Sequence, residues 1–371
     1  MSTPILEPTS SGKSPFQPSR LIRAIIWGVL VFLALCVGLE AFARTSVSRE
    51  ILPVRSLGSY HAQFEIKWFK LQEYVQQHGG VDVILLGNSM VNTGIDPDIL
   101  AADYKAATGQ DLRIFNFGVE GLTIAPVSTL AQLLNEKYHP GTILVFTEIR
   151  DYSALNGNEA DAQFLDNDWF RYTLGSKDVK GWLFASSAAV QTVLPFRNWS
   201  ATTFPDAYIS NVNRVENTTA AGYEPDQRTG RDIDANPDPN NPQEEEIYAM
   251  FAHYTMDSGR IQDLENIIAL QNQGVRVLVS EIPVFPTYYA YFGKSGTVVE
   301  AYHQQIAQIV AENSSTYVPA LDYNLLPWDG RVDNHHLNYK GAPVYSQLLA
   351  QQLADLCNQQ QVCLQAAMEG K

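Results

Sequence analysis

Ser89 stands in Gly87-Asn88-Ser89-Met90, directly after the apolar run Val81–Leu86. A serine at a strand-to-helix turn has its hydroxyl lifted off the sheet edge. The glycine permits the tight turn, and the start of the next helix offers backbone N–H groups to a developing oxyanion. The same residue would serve as a plain helix N-cap. Far downstream, Asp333-Asn334-His335-His336-Leu337-Asn338 holds what a serine nucleophile lacks. Histidine is the side chain whose pKa suits general-base work near neutrality, and a carboxylate must hold its ring in the right tautomer. Asp333, three residues before His336 on one loop, can turn its carboxylate toward that ring. Ser89, Asp333 and His336 are therefore the candidate catalytic residues. His335 is a rival base, or a surface residue. A metal held by the Asp and both His is a further alternative, disfavoured because neighbouring histidines are expected to point apart.

These residues can act together only if the fold carries them to one edge. Val81–Leu86, Leu112–Phe117, Thr142–Thr147, Val275–Ile282 and Tyr317–Leu321 read as five short strands. Helical spacing appears between them, at about 96–107, 122–138, 259–272 and 298–312, and again at 342–356. Strands alternating with helices imply right-handed crossovers and a parallel sheet. The expected fold is α/β: a flavodoxin-like three-layer α/β/α sandwich with a five-stranded parallel sheet. Open sheets of this kind place their sites at the C-terminal strand ends, where Ser89 and the 333–336 loop both fall. The pattern breaks over 152–245. Helical pieces at 161–174 and 179–194 precede a polar stretch ending in Asn236-Pro237-Asp238-Pro239-Asn240-Asn241-Pro242, which reads as loop or disorder. This region is expected to be a mostly helical and loop insertion over the sheet. Its Trp169, Phe170, Trp182 and Trp199 offer faces for stacking sugars; packing of the insertion, or contact with a membrane, is the competing reading of each.

The N-terminus supplies an address. Residues 1–20 read as a disordered cytoplasmic tail. Leu21 to Ala43 is close to the roughly 20 apolar residues that a membrane-spanning helix needs. Arg20 and Arg23 precede it, which predicts a single pass of the cell membrane with the body, 44–371, on the extracytoplasmic side. A cleaved signal peptide ending at Ala41-Phe42-Ala43 is the alternative, and it exports the body equally. The 371-residue chain carries a net charge of −15; Lys13, Arg20 and Arg23 against Glu7 give the first 23 residues +2, leaving −17 for the remainder. So acidic a body excludes nucleic acid as a partner, since that binding depends on neutralising phosphates. Cys36 lies in the apolar run. Cys357 and Cys363 could form a local disulfide outside the cytoplasm, or stay as two thiols on a C-terminal helix. With three cysteines and no CxxC or paired-His motif, no metal or other cofactor is expected.

The arrangement resembles the SGNH/GDSL hydrolase family over about 80–151 and 258–356. The likeness rests on Gly87-Asn88-Ser89 after the first strand, Asn116-Phe117-Gly118-Val119-Glu120-Gly121 after the second, and Asp333-x-x-His336 before the last helix. In that family a second-block glycine lends its N–H to the oxyanion hole, which implies Gly121, with Gly118 as the alternative. The third block departs from the family's Gly-x-Asn-Asp. Here it reads Thr147-Glu148-Ile149-Arg150-Asp151, so Arg150 falls where the oxyanion-binding Asn is expected. Arg150 would act there as a stronger, charged donor, bind an anionic substrate group, or simply pair with Glu148 or Asp151. The ending His336-Leu337-Asn338-Tyr339-Lys340-Gly341 is similar to that of single-anchor envelope proteins of this superfamily. They include the D-alanyl transfer protein of teichoic acid synthesis and polysaccharide O-acetylation proteins that work with multi-pass membrane acyltransferases. The resemblance implies a serine esterase or O-acyltransferase using an acyl-enzyme on acyl esters of a cell-envelope glycan. The alternative is a catalytically inactive binding or scaffold protein of an envelope assembly.

Overall fold

A computed structural model describes residues 18–155, 158–197, 204–230, 251, 254–293, 296–360 and 362–367. Residues 1–17, Trp199 and the Asn/Pro-rich 236–242 stretch lie outside them. Five strands, β1 (Val83–Gly87), β2 (Ile114–Gly118), β3 (Thr142–Phe146), β4 (Arg276–Ser280) and β5 (Thr316–Val318), form one sheet in the order β2-β1-β3-β4-β5. Every pairing is parallel. This is the flavodoxin-like order, and its switch point lies between β1 and β3. β1, β2 and β3 are buried along their whole length, as strands covered on both faces must be.

Helices cover both faces. On one, α5 (Pro97–Thr108) packs against α15 (Gly341–Gln360); on the other, α6 (Ile124–Tyr138) packs against α12 (Ser258–Ile268). The boundaries of α5 follow from its ends. Asp96 accepts from the N–H groups of Asp98 and Ile99, Pro97 takes the first helical position, and Gly109 ends the helix in the left-handed region at φ 78°. α14 (Thr297–Glu312) precedes β5. Cys357 and Cys363 are disulfide-bonded at the end of α15, with Cα atoms 4.1 Å apart.

Two of the longer helices escaped the sequence reading. α3 (Ala62–His78) buries Phe64, Trp68 and Leu71 at i, i+4 and i+7. Its charged Glu65 and Lys67 are buried as well, which blurs the amphipathic signal. α11 (Phe204–Asn217) falls in the span expected to be loop, because its apolar positions are diluted by Asn, Ser and Asp. The two longer helical pieces expected upstream of it are broken into α7 (Asn158–Leu165), α8 (Asp168–Thr173), α9 (Val179–Ser186) and α10 (Ala188–Val193). Side-chain caps at Asn167, Asp178 and Ser187 start three of them. Trp169 and Phe170 are buried against Phe64, Trp68 and Phe164, so they belong to the core, and Trp169 reaches only the floor of a surface pocket it shares with Gln72, Lys137 and Tyr172. Trp182 is exposed.

The N-terminal helix α1 (Pro18–Ala43) leaves its apolar side chains bare. From Arg20 to Ala43 its mean hydropathy is 2.4, and none of the most apolar part is buried by the protein. Those 24 residues would run about 36 Å, enough to cross a hydrocarbon core of about 30 Å. A short helix, α2 (Ser46–Ile51), follows.

Candidate active site

β1 ends in Gly87, and α4 (Ser89–Gly94) begins two residues later. A Cβ at Gly87 would meet Val91 Cγ2 at 2.5 Å and Phe146 O at 2.9 Å; one at Gly118 on β2 would meet Asn92 N at 2.4 Å. Glycine at these two positions lets α4 settle into a notch between strand ends. Asn116, on β2, donates from Nδ2 to Val91 O and Ile95 O, both at 2.7 Å, and fixes the helix there. The cap of α4 is Asn88, whose Oδ1 accepts the Met90 N–H at 2.9 Å. Ser89 is the first helical residue and does not act as the cap, so its hydroxyl is available for other work.

That hydroxyl lies 2.8 Å from His336 Nε2, and His336 Nδ1 lies 2.8 Å from Asp333 Oδ2. The three candidates are thus joined in one hydrogen-bonded chain across 247 residues of sequence separation. Asp333 is held by its own loop: its Oδ1 accepts the N–H groups of His335 (2.9 Å) and His336 (2.7 Å). Burial pushes its carboxyl up, but the neighbouring histidines and those N–H donors outweigh it and keep the group ionised.

The residues after His336 anchor it. Leu337 is fully buried. Asn338 Nδ2 donates to Arg228 O (3.0 Å), Asp329 O (2.9 Å) and Arg331 O (3.1 Å), while its Oδ1 accepts from Lys340 N (2.9 Å). Gly341 passes so close to Gly330 that a Cβ would fall 2.0 Å from Gly330 O. The His-Leu-Asn-x-x-Gly ending is therefore a turn that pins His336.

His335 lies outside the Ser89–His336–Asp333 chain of hydrogen bonds. Its ring packs 4.0 Å from that of His336 and 4.9 Å from Tyr288, with Nδ1 2.9 Å from Asn334 Oδ1. Burial, then the His336 charge, pushes its pKa down to about 3, so it stays neutral. Neighbouring histidines point apart in a regular conformation; on this irregular loop the two rings lie together. Ligating atoms of Asp333, His335 and His336 come within 4.8 Å of one another. Both ring nitrogens of His336, however, are occupied by Ser89 and Asp333.

Beneath the serine lies a buried polar network: it contains the Arg150–Glu148 pair, one of the alternatives the sequence leaves open, and adds Asn88 and Tyr288, which the sequence reading missed. Glu148, at the end of β3, accepts from Asn88 Nδ2 (2.8 Å), Arg150 Nε (3.1 Å) and Arg150 Nη2 (2.5 Å) on Oε1, and from the Tyr288 hydroxyl on Oε2. Asp151 also faces Asn88 Nδ2, at 3.4 Å, and accepts the Glu148 N–H. Burial raises both carboxyls. Arg150 and His335 pull Glu148 back down, whereas the Glu148 charge pushes Asp151 further up. Of the two, Glu148 is the one its surroundings favour as the carboxylate. The guanidinium of Arg150 is thus paired with Glu148. The rule that inspects strand ends would have found Glu148, which follows β3, and Tyr288, which follows β4.

Gly121 sits on the exposed turn after β2, at φ 72°. The segment 218–230, returning from the insertion, also reaches the site. Glu224 N donates to Asn92 O (3.3 Å), Tyr339 N to Asp226 O (2.9 Å) and Gly230 N to Arg331 O (2.8 Å), so it straps the serine helix to the histidine loop.

No family model and no curated protein matches the chain. Among solved structures, it is similar to the lipase/acylhydrolase from Enterococcus faecalis at 12% identity, over 78% of this chain and 100% of that one, with a TM-score of 0.36. It is similar to TesA at 12% identity, over 74% and 97% of the two chains, with a TM-score of 0.37. Likenesses this remote leave the argument to the geometry of the site.

Proposed function

We propose that this chain is a serine esterase or O-acyltransferase of SGNH/GDSL type. The observation that carries the reading is the unbroken relay from Ser89 Oγ to His336 Nε2 and from His336 Nδ1 to Asp333, 2.8 Å at each link. Ser89 Oγ attacks an ester carbonyl carbon and its proton passes to His336 Nε2. The carbonyl oxygen becomes an oxyanion, met by the backbone N–H groups of Ser89 and Gly121, with Arg150 close by as a cationic neighbour. As the intermediate collapses, the ester C–O bond breaks and His336 returns the proton to the leaving alkoxide. Water or a sugar hydroxyl then attacks the acyl-enzyme, gives its proton to His336, and releases Ser89. Asp333 holds the His336 tautomer and supports the imidazolium.

The proposed address is the extracytoplasmic face of the cell membrane, with α1 as a single-pass anchor and 44–371 as the body. Supporting it are Arg20 and Arg23 before the span, the bare apolar surface of α1 and the Cys357–Cys363 disulfide. We propose an envelope glycan as acceptor or substrate, and a multi-pass membrane acyltransferase as partner. The test is fluorophosphonate labelling and p-nitrophenyl acetate turnover by the detergent-solubilised full chain, beside Ser89→Ala and His336→Ala. Labelling of Ser89 that both substitutions abolish supports the enzyme. A folded wild type that neither labels nor turns over would leave the inert scaffold as the better account.

A further inference from the structure

The end of α1 is held against the body. Glu40, in its last turn, accepts from Ser187 Oγ (2.8 Å), Ala188 N (3.0 Å), Ala189 N (3.0 Å) and Arg44 Nε (2.8 Å). Its carboxylate caps the start of α10. Arg44 Nη2 in turn donates to Ser186 O at 3.2 Å, at the end of α9.

On α9, Val179, Trp182, Leu183 and Ser186 share one face at i, i+3, i+4 and i+7. The first three are 69%, 49% and 38% exposed, whereas Gly181 and Phe184 are buried. Trp182 lies four residues from Ser186, about 6 Å of helix from the residue that bonds Arg44. α2 exposes Val47 and Ile51 one turn apart, immediately after the anchor. Single exposed apolar residues need no explanation. These form faces on the two elements tied to the exit of a helix that is itself apolar and bare, and Trp is a residue of membrane–water boundaries.

Resting on the reading that α1 spans the bilayer, we propose that α9 lies in the boundary between headgroups and acyl chains beside α1, as a second membrane contact. The occupant of its apolar face is lipid. The attraction is apolar rather than electrostatic, since the chain after residue 23 carries −17 and would be repelled by anionic headgroups. The body is then held on the membrane in one orientation, which sets the height of Ser89 above it.

The test places a nitroxide at Trp182→Cys in the full chain with Cys36→Ala, reconstituted in phosphatidylcholine vesicles. Reference labels sit at Leu33→Cys in α1 and at Leu325→Cys, an exposed residue ahead of the histidine loop. Collision with dissolved oxygen is compared with collision with a water-soluble nickel complex. The expected oxygen-to-nickel ratio at 182 is several-fold above that at 325 and approaches that at 33. Leu183→Cys repeats the reading should Trp182→Cys disturb α9. A lipid-like value at 33 with a 325-like value at both 182 and 183 overturns the proposal and leaves the anchor standing. A water-like value at 33 overturns the anchor reading and this proposal with it.

Discussion

Glu148→Gln is nearly isosteric and removes one charge from beneath the nucleophile. Oε1 of Glu148 takes three donors, two from Arg150 and one from Asn88, and Oε2 takes the Tyr288 hydroxyl. A glutamine either turns its N–H₂ group on Arg150 and Asn88 and loses those bonds, or turns it on the Tyr288 hydroxyl, which must switch from donor to acceptor; in both cases the charge that pairs with Arg150 is gone. Hydrogen bonds to a charged partner are each worth about 1.5–3 kcal/mol, and breaking a buried ion pair costs about 3–5 kcal/mol. Arg150 is 28% exposed, so water recovers part of that loss. The expected destabilisation is about 2–4 kcal/mol, read for a body of this size as a Tm lower by roughly 3–6 °C. Activity falls by a separate route. Asn88 caps α4 through Met90 N and bonds Glu148 through Nδ2; released from Glu148, it lets the first turn of α4 shift and moves Ser89 Oγ off its 2.8 Å contact with His336. Misplacement on the ångström scale costs up to about 100-fold, and the fluorophosphonate labelling rate of Ser89 is expected to fall by about 10- to 100-fold. The assay pairs that rate with thermal unfolding of the same sample. A labelling rate within twofold of wild type, at a Tm lowered as expected, would refute the positioning role and leave Glu148 as a structural ion pair. An unchanged Tm would refute the buried network itself.

Asp333→Asn keeps the loop bonds to the N–H groups of His335 and His336 but loses the carboxylate that fixes the ring. Labelling of Ser89 and p-nitrophenyl acetate kcat are each expected to drop by about three to four powers of ten, with Tm little changed, and a drop under tenfold would remove Asp333 from the triad. His335 has a folded-state pKa of about 3 against about 6.5 when unfolded, so between these values the unfolded chain binds the extra proton. Its contribution is full above pH 6.5 and is lost as pH falls, by about 2 kcal/mol at pH 5. Urea midpoints at pH 7 and pH 5 are expected to separate in the wild type and to converge in His335→Asn; equal separation in both would sink the assignment.

The sheet was legible because its information is local. Each strand is a short, continuous apolar run ended by Gly, Pro or a polar residue, and the helices between repeat at 3.6. Ser89, Asp333 and His336 were legible because the strand-end rule fixes where chemistry must sit before any contact is known. What stayed hidden depends on partners distant in the sequence. α3 carries buried Glu65 and Lys67, whose partners lie elsewhere: Glu65 takes the N–H groups of Leu57 and Ser59 and the hydroxyls of Ser56 and Ser59, and Lys67 reaches Gly222 O and Asn116 O. Charges in a helix look like a solvated face until such partners are found. α11 hides for a different reason: Tyr208, Val212 and Val215 keep helical spacing, but Pro205 and the Asn, Ser and Asp side chains around them are residues that favour turns and loops.

The third block shows what residue type alone leaves open. Set beside the family pattern, Arg150 had three readings, as an oxyanion donor, as a group that binds an anionic substrate, or as the partner of Glu148 or Asp151. In the folded chain the guanidinium pairs with Glu148, and Glu148 in turn holds Asn88, the residue beside the nucleophile. Tyr288 carries the same network to His335 and so to the edge of the base. A single buried carboxylate therefore touches both ends of the Ser–His contact, through Asn88 on one side and Tyr288 on the other. A charged pair in this place costs desolvation that a neutral asparagine would not. Such a cost is tolerable only where every donor and acceptor is met, and a fully met network resists displacement at either end. Arg150 therefore acts on the serine through Glu148 and Asn88, and a substitution at Arg150 should be read first in the alignment of Ser89 with His336.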